Sequence, residues 1–138
     1  MLTDDLNAIR GMDQNFFPRP WAIADWLALN PEHYLLYAWQ DEGLQGFALF
    51  QRVGTDENAH LLKICILPEQ RGSGLALLFW DSLVKDLKHR GIHSLYLEVE
   101  KPNIPAVKFY QKAGFEILRE IKAYYSDGTS ALTMSLTL

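Results

Sequence analysis

The sequence has little cysteine and no arrangement of histidines typical of a metal site. One residue is cysteine, Cys65, so no disulfide can form within the chain. The four histidines, at positions 33, 60, 89 and 93, show no zinc-like spacing among themselves or with Cys65. We therefore predict neither a disulfide framework nor a bound metal.

The chain also lacks long apolar runs and an excess of positive charge. It has no run of about 18 apolar residues, and the N-terminal stretch MLTDDLNAIR carries aspartates where a secretion signal requires positive charge and then an apolar run. The net charge is −4, from 17 acidic and 13 basic residues, without a basic block. These features predict a cytoplasmic protein that binds neither membranes nor nucleic acid.

What is present suits one ordinary globular domain. The 138 residues, 49% hydrophobic and 22% charged, predict a single domain over residues 1–138. Helical spacing indicates short helices over residues 4–13 and 21–29, separated by the proline-containing FFPRPW. The segments HYLLYAWQ and LQGFALFQRV, joined by DEG, predict an antiparallel hairpin.

The second half of the chain predicts a strand, loop, helix and strand in succession. HLLKICILP forms a strand that Pro68 ends, an amphipathic helix follows a glycine loop, and HSLYLEVE returns as a strand parallel to the first. NIPAVKFYQKAGF predicts a helix capped by Asn103 and closed by Gly114. FEILREIKAYY and SALTMSLTL predict a closing hairpin around SDGT.

The glycine loop, QRGSGLA, allows two interpretations. Gly72 and Gly74 permit a sharp turn from strand to helix. The same lack of side chains would let a ligand approach the backbone, where the N–H groups of a helix start form a donor-rich cup for phosphate oxygens. The lysine of a Walker loop is absent, and Leu77 stands where a dinucleotide fingerprint has its third glycine. The loop alone leaves both interpretations open.

Two motifs together resemble the GNAT acetyltransferase superfamily. In RGSGLA, Arg71, Gly74 and Ala76 have the spacing R-x-x-G-x-A of that superfamily's acetyl-CoA loop. Further along, NIPAVKFYQKAGF is similar to its second signature, N-x-x-A-x-x-x-Y-x-x-x-G-F. The resemblance implies an α/β (α+β) fold in which a mixed, mostly antiparallel sheet contains a central parallel strand pair (β-α-β) and is flanked by helices. The superfamily's usual first strand is missing or reduced to MLT.

Within the superfamily the chain is most similar to bacterial acetyltransferases of ribosomal-protein N-terminal alanine. The similarity lies in FPRPW, in LYLEVE before Asn103, and in the pair Tyr124 and Tyr125. The chain departs from that pattern at Glu100 and near Ile121, where arginines are usual. The resemblance implies an acetyl-CoA-dependent transfer to the N-terminal amine of a protein or peptide by direct attack. The alternatives are an acetyltransferase for a small amine, antibiotic or polyamine, and a non-catalytic acyl-CoA-binding module.

The resemblance also implies where acetyl-CoA binds. The loop amides would receive the pyrophosphate, the backbone of the third strand would pair with the pantetheine arm, and Asn103 would both cap its helix and contact the cofactor. The predicted cofactor-binding residues are Ile64, Cys65, Ile66, Arg71, Gly72, Ser73, Gly74, Leu75, Ala76, Asn103 and Tyr110. We predict that Cys65 is buried and is not a nucleophile.

Glu98 and Tyr110 are the predicted catalytic residues. In the resembling enzymes the residue matching Glu98 acts as the base, directly or through water. Strand alternation puts Glu100 on the same face, so either carboxylate could take the amine proton. Tyr110 falls on the motif tyrosine, whose phenol is placed to protonate the CoA sulfur, and a phenol pKa of about 10 suits that transfer.

Phe17, Trp21, Tyr124 and Tyr125 are predicted to wall the acceptor pocket, although either tyrosine could instead form an aromatic edge of the core. An α-amino group has a pKa of about 7.7–8.0 and a lysine amine about 10.4, so deprotonating lysine costs about 3.5 kcal/mol more. A single carboxylate is therefore better matched to a peptide N-terminus. The predicted partner is a protein or peptide N-terminus or a small amine, and the enzyme is a monomer or homodimer.

Overall fold

The computed structural model describes residues 4–52, 55–72 and 74–138. Within these residues the helices are α1 (Asp4–Phe16), α2 (Ile23–Leu27), α3 (Leu75–His89) and α4 (Ile104–Lys112). The strands are β1 (Tyr34–Gln40), β2 (Leu44–Gln51), β3 (Asn58–Ile66), β4 (Ser94–Glu100), β5 (Glu116–Ile121) and β6 (Ala131–Thr137). A short 3-10 turn, Pro68–Gln70, follows β3. None of the described helices is long and apolar enough to cross a membrane.

The six strands form one sheet in the order β1-β2-β3-β4-β6-β5. Neighbouring strands are antiparallel except β3 and β4, which are parallel because α3 carries the chain back between them. The predicted class is confirmed: a mixed, mostly antiparallel sheet with a central parallel pair, flanked by helices. The stretch MLT, considered above as a reduced first strand, lies outside the described residues.

Two apolar cores hold helices to the sheet. One core packs α3 and α4 against the sheet, with Trp80 and Leu97 among its fully buried side chains. The other packs α1 and α2 around Ile9, Trp26 and Phe47. Five consecutive residues of β2 are buried, because both faces of this strand are covered. The strand β3, which precedes the glycine loop, is therefore anchored along one edge to the most buried strand.

The parallel strands β3 and β4 pair only where they begin. Their ladder covers three residue pairs and ends at His60 and Tyr96. Beyond that point β3 runs on to Ile66 and β4 to Glu100, and these described segments do not pair with each other. We call the opening between residues 61–66 and 97–100 the β3/β4 cleft. Its strand edges have backbone groups without a ladder partner, which an extended ligand can use.

Helix and strand ends differ from the sequence-based expectation for local reasons. The first helix was expected to end at residue 13 but continues to Phe16, because the first proline comes only at position 18. The second helix begins at Ile23 instead of Trp21, whose N–H is held by the Asp13 carboxylate. The strand β5 ends at Ile121, so the predicted tyrosine pair lies in the β5–β6 connection and not in a strand.

Candidate active site

The glycine loop between β3 and α3 makes the turn that its composition predicts. Gly72 and Gly74 have φ values of +75° and +84°, in the left-handed region that favours glycine. A Cβ at either position would meet no heavy atom of the described residues within 4 Å. Packing therefore does not require these glycines, and the space beside the loop is open to a ligand. Ser73, a predicted cofactor contact, lies outside the described residues.

The loop leads into the N-terminus of α3. Gly74 is the N-cap and provides no side-chain hydrogen bond, and the first bond into the helix runs from the Leu78 N–H to the Gly74 carbonyl at 3.2 Å. At the start of an α-helix the first amides point out of the helix, and the helix dipole adds partial positive charge there. Ala76 is buried and Leu75 is exposed. This end of α3 has the geometry that receives phosphate oxygens.

Arg71 braces the loop against the end of β3. Its Nε donates to the Ile66 carbonyl at 2.9 Å, and its backbone N–H donates to the Pro68 carbonyl at 3.2 Å. The guanidinium also lies 6.0 Å from the centre of the Phe16 ring. The motif arginine thus holds in place the turn that presents the amides.

The predicted pantetheine-binding segment of β3 borders the β3/β4 cleft. The Leu67 N–H donates to the Gln45 carbonyl on the β2 side at 2.9 Å. Because backbone groups alternate between the two edges of such a strand, those of Ile64 and Ile66 face the cleft, where the Ile66 carbonyl is bound by Arg71. Burial raises the pKa of the Cys65 thiol to about 11, so it stays protonated near neutral pH and is a poor nucleophile.

Glu98 lies on the cleft side of β4 and is contacted by two other residues. His60 Nε2 is 3.0 Å from Glu98 Oε1, and the Tyr124 hydroxyl donates to the same oxygen at 3.2 Å. The hydrogen bond with His60 lowers the pKa of Glu98 below its usual range, against burial, which raises it. Glu98 is therefore ionised near neutral pH, and its Oε2 has no hydrogen-bond partner among the described residues.

Glu100, the second candidate base, is bound by an arginine instead. Arg19 donates through Nη1 to Glu100 Oε1 and through Nη2 to Asp127 Oδ2, the latter at 3.0 Å. The Arg19 guanidinium lies 4.2 Å from the centre of the Tyr125 ring. The hydrogen bond to Glu100 raises the pKa of Arg19. Arg19 thus connects the α1–α2 segment, the end of β4 and the β5–β6 connection.

A buried ion pair holds the α1–α2 segment beneath Arg19. The β2–β3 register skips Leu62, and this bulge turns Lys63 toward α1. Lys63 Nζ lies 2.7 Å from Asp13 Oδ1, with the two side chains only 6% and 0% exposed. Asp13 Oδ2 accepts the Trp21 N–H at 2.8 Å, and Lys63 Nζ lies 4.4 Å from the centre of the Phe17 ring. The pair therefore fixes both aromatic residues predicted from FFPRPW.

The helix α4 carries two predicted site residues. Asn103 is its N-cap, and its Oδ1 accepts the Ala106 N–H at 3.3 Å. The Tyr110 ring packs against Phe109 and Phe115, with ring centres 5.9 and 5.7 Å away. Burial raises the pKa of Tyr110, and the nearby Tyr125 adds to this. Its hydroxyl has no hydrogen-bond partner among the described residues, and the raised pKa keeps it protonated near neutral pH.

The two tyrosines of the β5–β6 connection lie near different carboxylates. The rings of Tyr124 and Tyr125 lie edge to face with centres 5.0 Å apart. Tyr124 is exposed and reaches Glu98, whereas Tyr125 lies under Arg19 beside Glu100. Burial raises the pKa of Tyr125 to about 12.

Sequence reasoning missed His60, Arg19 and the Asp13–Lys63 pair. Each of them reaches the site through a contact between segments far apart in the chain, and none belongs to the two motifs. FPRPW was noticed for its resemblance, but nothing in that stretch indicates which carboxylate Arg19 meets. Among the described residues no cluster of His, Cys, Asp or Glu could hold a metal ion.

The chain matches a known protein family and is similar to proteins of known activity. Residues 4–115 match the family described as Acetyltransferase (GNAT) family. The ribosomal protein bS18-alanine N-acetyltransferase of Haemophilus influenzae is 34% identical over 122 residues, which cover 88% of this chain and 82% of that protein. The Escherichia coli enzyme of the same name is 29% identical over 139 residues, covering 99% of this chain and 93% of that protein.

Solved structures show the same fold. The crystal structure of the Escherichia coli enzyme has a TM-score of 0.84 at 29% identity and covers 99% of this chain and 90% of its own. Arabidopsis thaliana NAA60 in complex with acetyl-CoA has the same fold, with a TM-score of 0.82 at 17% identity, covering 100% and 96% of the two chains. The predicted N-acetyltransferase activity and the predicted cosubstrate, acetyl-CoA, are confirmed. The chain belongs to the GNAT family of acetyltransferases.

Proposed function

We propose that this enzyme acetylates the N-terminal amine of a protein or peptide, such as a ribosomal protein. The observation that carries the proposal is Glu98, an ionised carboxylate with one unpartnered oxygen, beside the β3/β4 cleft. Support also comes from relatives matched over most of their length, whose names specify an alanine of ribosomal protein bS18 as the acceptor. Acetyl-CoA, when bound, supplies an acetyl group activated as a thioester.

Glu98 is the proposed base that takes the proton of the attacking amine. Glu100 would be a poorer base, because its Oε1 is bound by the positively charged guanidinium of Arg19. The partners of Glu98 are an imidazole and a phenol, and both leave Oε2 open. The amine proton passes to Oε2, either directly or through one water molecule.

Tyr110 is the proposed acid that returns a proton to the departing thiolate. A partly buried phenol whose pKa is raised by desolvation stays protonated throughout the neutral range. The hydroxyl is not engaged by any other described group, so donating its proton breaks no existing hydrogen bond. Tyr110 therefore holds the proton that a general acid must deliver to the thiolate.

The remaining predicted contacts divide between the cosubstrate and the acceptor. We propose that the pyrophosphate binds the amides of residues 72–76 and that the pantetheine arm pairs with residues 64–66. Asn103 would contact the same cosubstrate from the start of α4. The proposed acceptor wall is Tyr124 and Tyr125 on one side, with Phe17 and Trp21 on the other. The predicted roles of Arg71 and Ser73 in binding acetyl-CoA stay predictions.

Glu98 suits an α-amine better than a lysine side chain. The hydrogen bond from His60 that keeps Glu98 ionised also makes it a weak base. An α-amino group, with a pKa of about 7.7–8.0, is neutral in a sizeable fraction near pH 8, whereas a lysine amine of pKa about 10.4 is not. Much of an α-amine acceptor is thus already neutral before it reaches the site, so a weak base is sufficient.

The other predicted properties of the protein stay proposals. A single continuous sheet among the described strands supports one acetyltransferase domain over residues 1–138. The net charge of −4 supports a protein that binds neither nucleic acid nor anionic membranes, and a cytoplasmic location suits such a protein. A monomer and a homodimer are both compatible with the proposed site.

A panel of acceptors tests the proposal. Purified enzyme and acetyl-CoA are mixed with a peptide bearing a free N-terminal alanine, with the same peptide blocked at the N-terminus but containing a lysine, and with spermidine. Released CoA is measured with a thiol reagent, and the acetylated atom is identified by mass spectrometry. We expect turnover of the free peptide at its N-terminus. Turnover of spermidine alone would overturn the proposal in favour of a small-amine acetyltransferase.

A further inference from the structure

We propose that His60 is a positioning residue for Glu98: it holds Oε1 and so leaves Oε2 as the oxygen that receives the amine proton. The inference rests on the proposed function, in which Glu98 is the base. It adds a residue outside both sequence motifs. The contact that carries it is His60 Nε2 to Glu98 Oε1 at 3.0 Å, with the side chains 21% and 19% exposed.

The imidazole is itself held in place by the sheet. His60 and Tyr96 are the last residue pair of the parallel ladder between β3 and β4. Their rings stack with centres 4.4 Å apart and planes 15° apart. Two residues beyond Tyr96, Glu98 lies on the same face of β4. The donor therefore stands at the point where the two strands separate, beside the mouth of the β3/β4 cleft.

The second hydrogen-bond donor to Glu98 is less firmly held. Tyr124 lies in the β5–β6 connection, and the residue is 46% exposed. A donor on a paired strand that is stacked on a neighbouring ring keeps its position better than an exposed donor on a connection. Because the productive geometry of a base tolerates little displacement, losing the fixed donor slows the chemical step more than it weakens binding.

Two substitutions at one position separate the donor from the ring. Glutamine in His60→Gln carries an N–H donor close to the position of Nε2, whereas phenylalanine in His60→Phe keeps the stacking on Tyr96 and removes the donor. We expect His60→Phe to lower kcat by about 10- to 100-fold while KM for acetyl-CoA stays within about twofold. His60→Gln should stay within about threefold of the unsubstituted enzyme. Equal losses in both variants would overturn the role as donor.

The matched control is His93→Gln. His93 is exposed and lies just before β4, and its substitution should leave kcat and both KM values unchanged. Thermal unfolding of each variant shows whether a loss of rate comes from a loss of fold.

A Glu98→Gln background separates failure of this inference from failure of the proposed function. We expect Glu98→Gln alone to be strongly impaired and the added His60→Phe to change little, because no base is left to position. A fully active Glu98→Gln would refute the proposed base and this inference with it. An impaired Glu98→Gln together with an unimpaired His60→Phe would refute the positioning role alone. Full additivity of the two losses would also overturn it.

Discussion

The two sides of the proposed active site, one for acetyl-CoA and one for the acceptor amine, are built from different kinds of groups. The acetyl-CoA side uses backbone: the amides at the start of α3, glycines at φ +75° and +84°, and the open edge of β3. The acceptor side uses charged and aromatic side chains, with Arg19 bound to Glu100 and Asp127, and with Glu98 contacted by His60 and Tyr124.

This difference explains why one side can be read from the sequence and the other cannot. A backbone site depends on local conformation, so a short glycine-containing motif specifies it. A side-chain site depends on which residues the fold brings together, and here the partners of Arg19 are 81 and 108 residues away. Substitutions on the two sides should therefore have separable effects, and four of them test this in order of decreasing size.

The largest expected effect is on stability. It comes from the buried Asp13–Lys63 ion pair, which holds the α1–α2 segment of the acceptor side. Lys63→Met leaves the Asp13 carboxylate buried without its partner, which should lower the free energy of unfolding by about 3–5 kcal/mol. Urea unfolding measures the change. Arg90→Ala, which removes the exposed Asp86–Arg90 pair on α3, is the control and should cost less than about 1 kcal/mol. Equal losses would contradict the structural role given to Lys63.

The second-largest effect is expected on kcat, for the chemical step between the acetyl-CoA side and the acceptor side. Tyr110→Phe removes the proposed proton donor and keeps the ring that packs on Phe109 and Phe115, so kcat should fall by about 100-fold. The dissociation constant for acetyl-CoA should not change, as measured by titration calorimetry. An unchanged kcat would exclude Tyr110 as the acid.

A third substitution tests the backbone site. Gly74→Ala places a Cβ at a left-handed residue, which costs about 1–2 kcal/mol and should raise the dissociation constant for acetyl-CoA about tenfold. Gly91→Ala is the matched control, because Gly91 has a similar φ of +85° at the other end of α3. It should lose stability without losing affinity for acetyl-CoA. A similar loss of affinity in both variants would contradict a cofactor site at the start of α3.

The smallest effect is expected at Arg19. Its contacts are partly exposed, and such ion pairs contribute little, so Arg19→Gln should raise KM for an N-terminal peptide only about three- to fivefold. KM for acetyl-CoA should stay the same. Arg52→Gln, away from the site at the end of β2, should change neither constant. A change confined to KM for acetyl-CoA would contradict the assignment of Arg19 to the acceptor side.

The sequence predicted the sheet class, the parallel pair, the helix after the glycine loop and the cap at Asn103. These features follow from local hydrophobic periodicity, proline and glycine positions and capping chemistry. It did not predict that β3 and β4 separate after His60, because strand register depends on packing over both faces of the sheet. Without that register, the contact between His60 and Glu98 has no local signal.

For the same reason the sequence left two candidate bases. Alternation along β4 puts Glu98 and Glu100 on one face, and only tertiary contacts distinguish them, since Arg19 meets Glu100 while His60 meets Glu98. The tyrosine pair was expected in a strand, but β5 ends at Ile121 and the pair lies in the following connection. Loop geometry of this kind follows from packing as much as from sequence.

A single-turnover measurement on Glu98→Gln tests most directly whether acetyl-CoA binding and acetyl transfer depend on different parts of the site. The variant is saturated with acetyl-CoA, an N-terminal peptide is added, and acetyl transfer is followed, while the dissociation constant for acetyl-CoA is measured on the same preparation. We predict an unchanged dissociation constant and a transfer rate lower by about 10²- to 10⁴-fold. Transfer at the unsubstituted rate, or a loss of acetyl-CoA affinity as large as the loss of rate, would contradict the account.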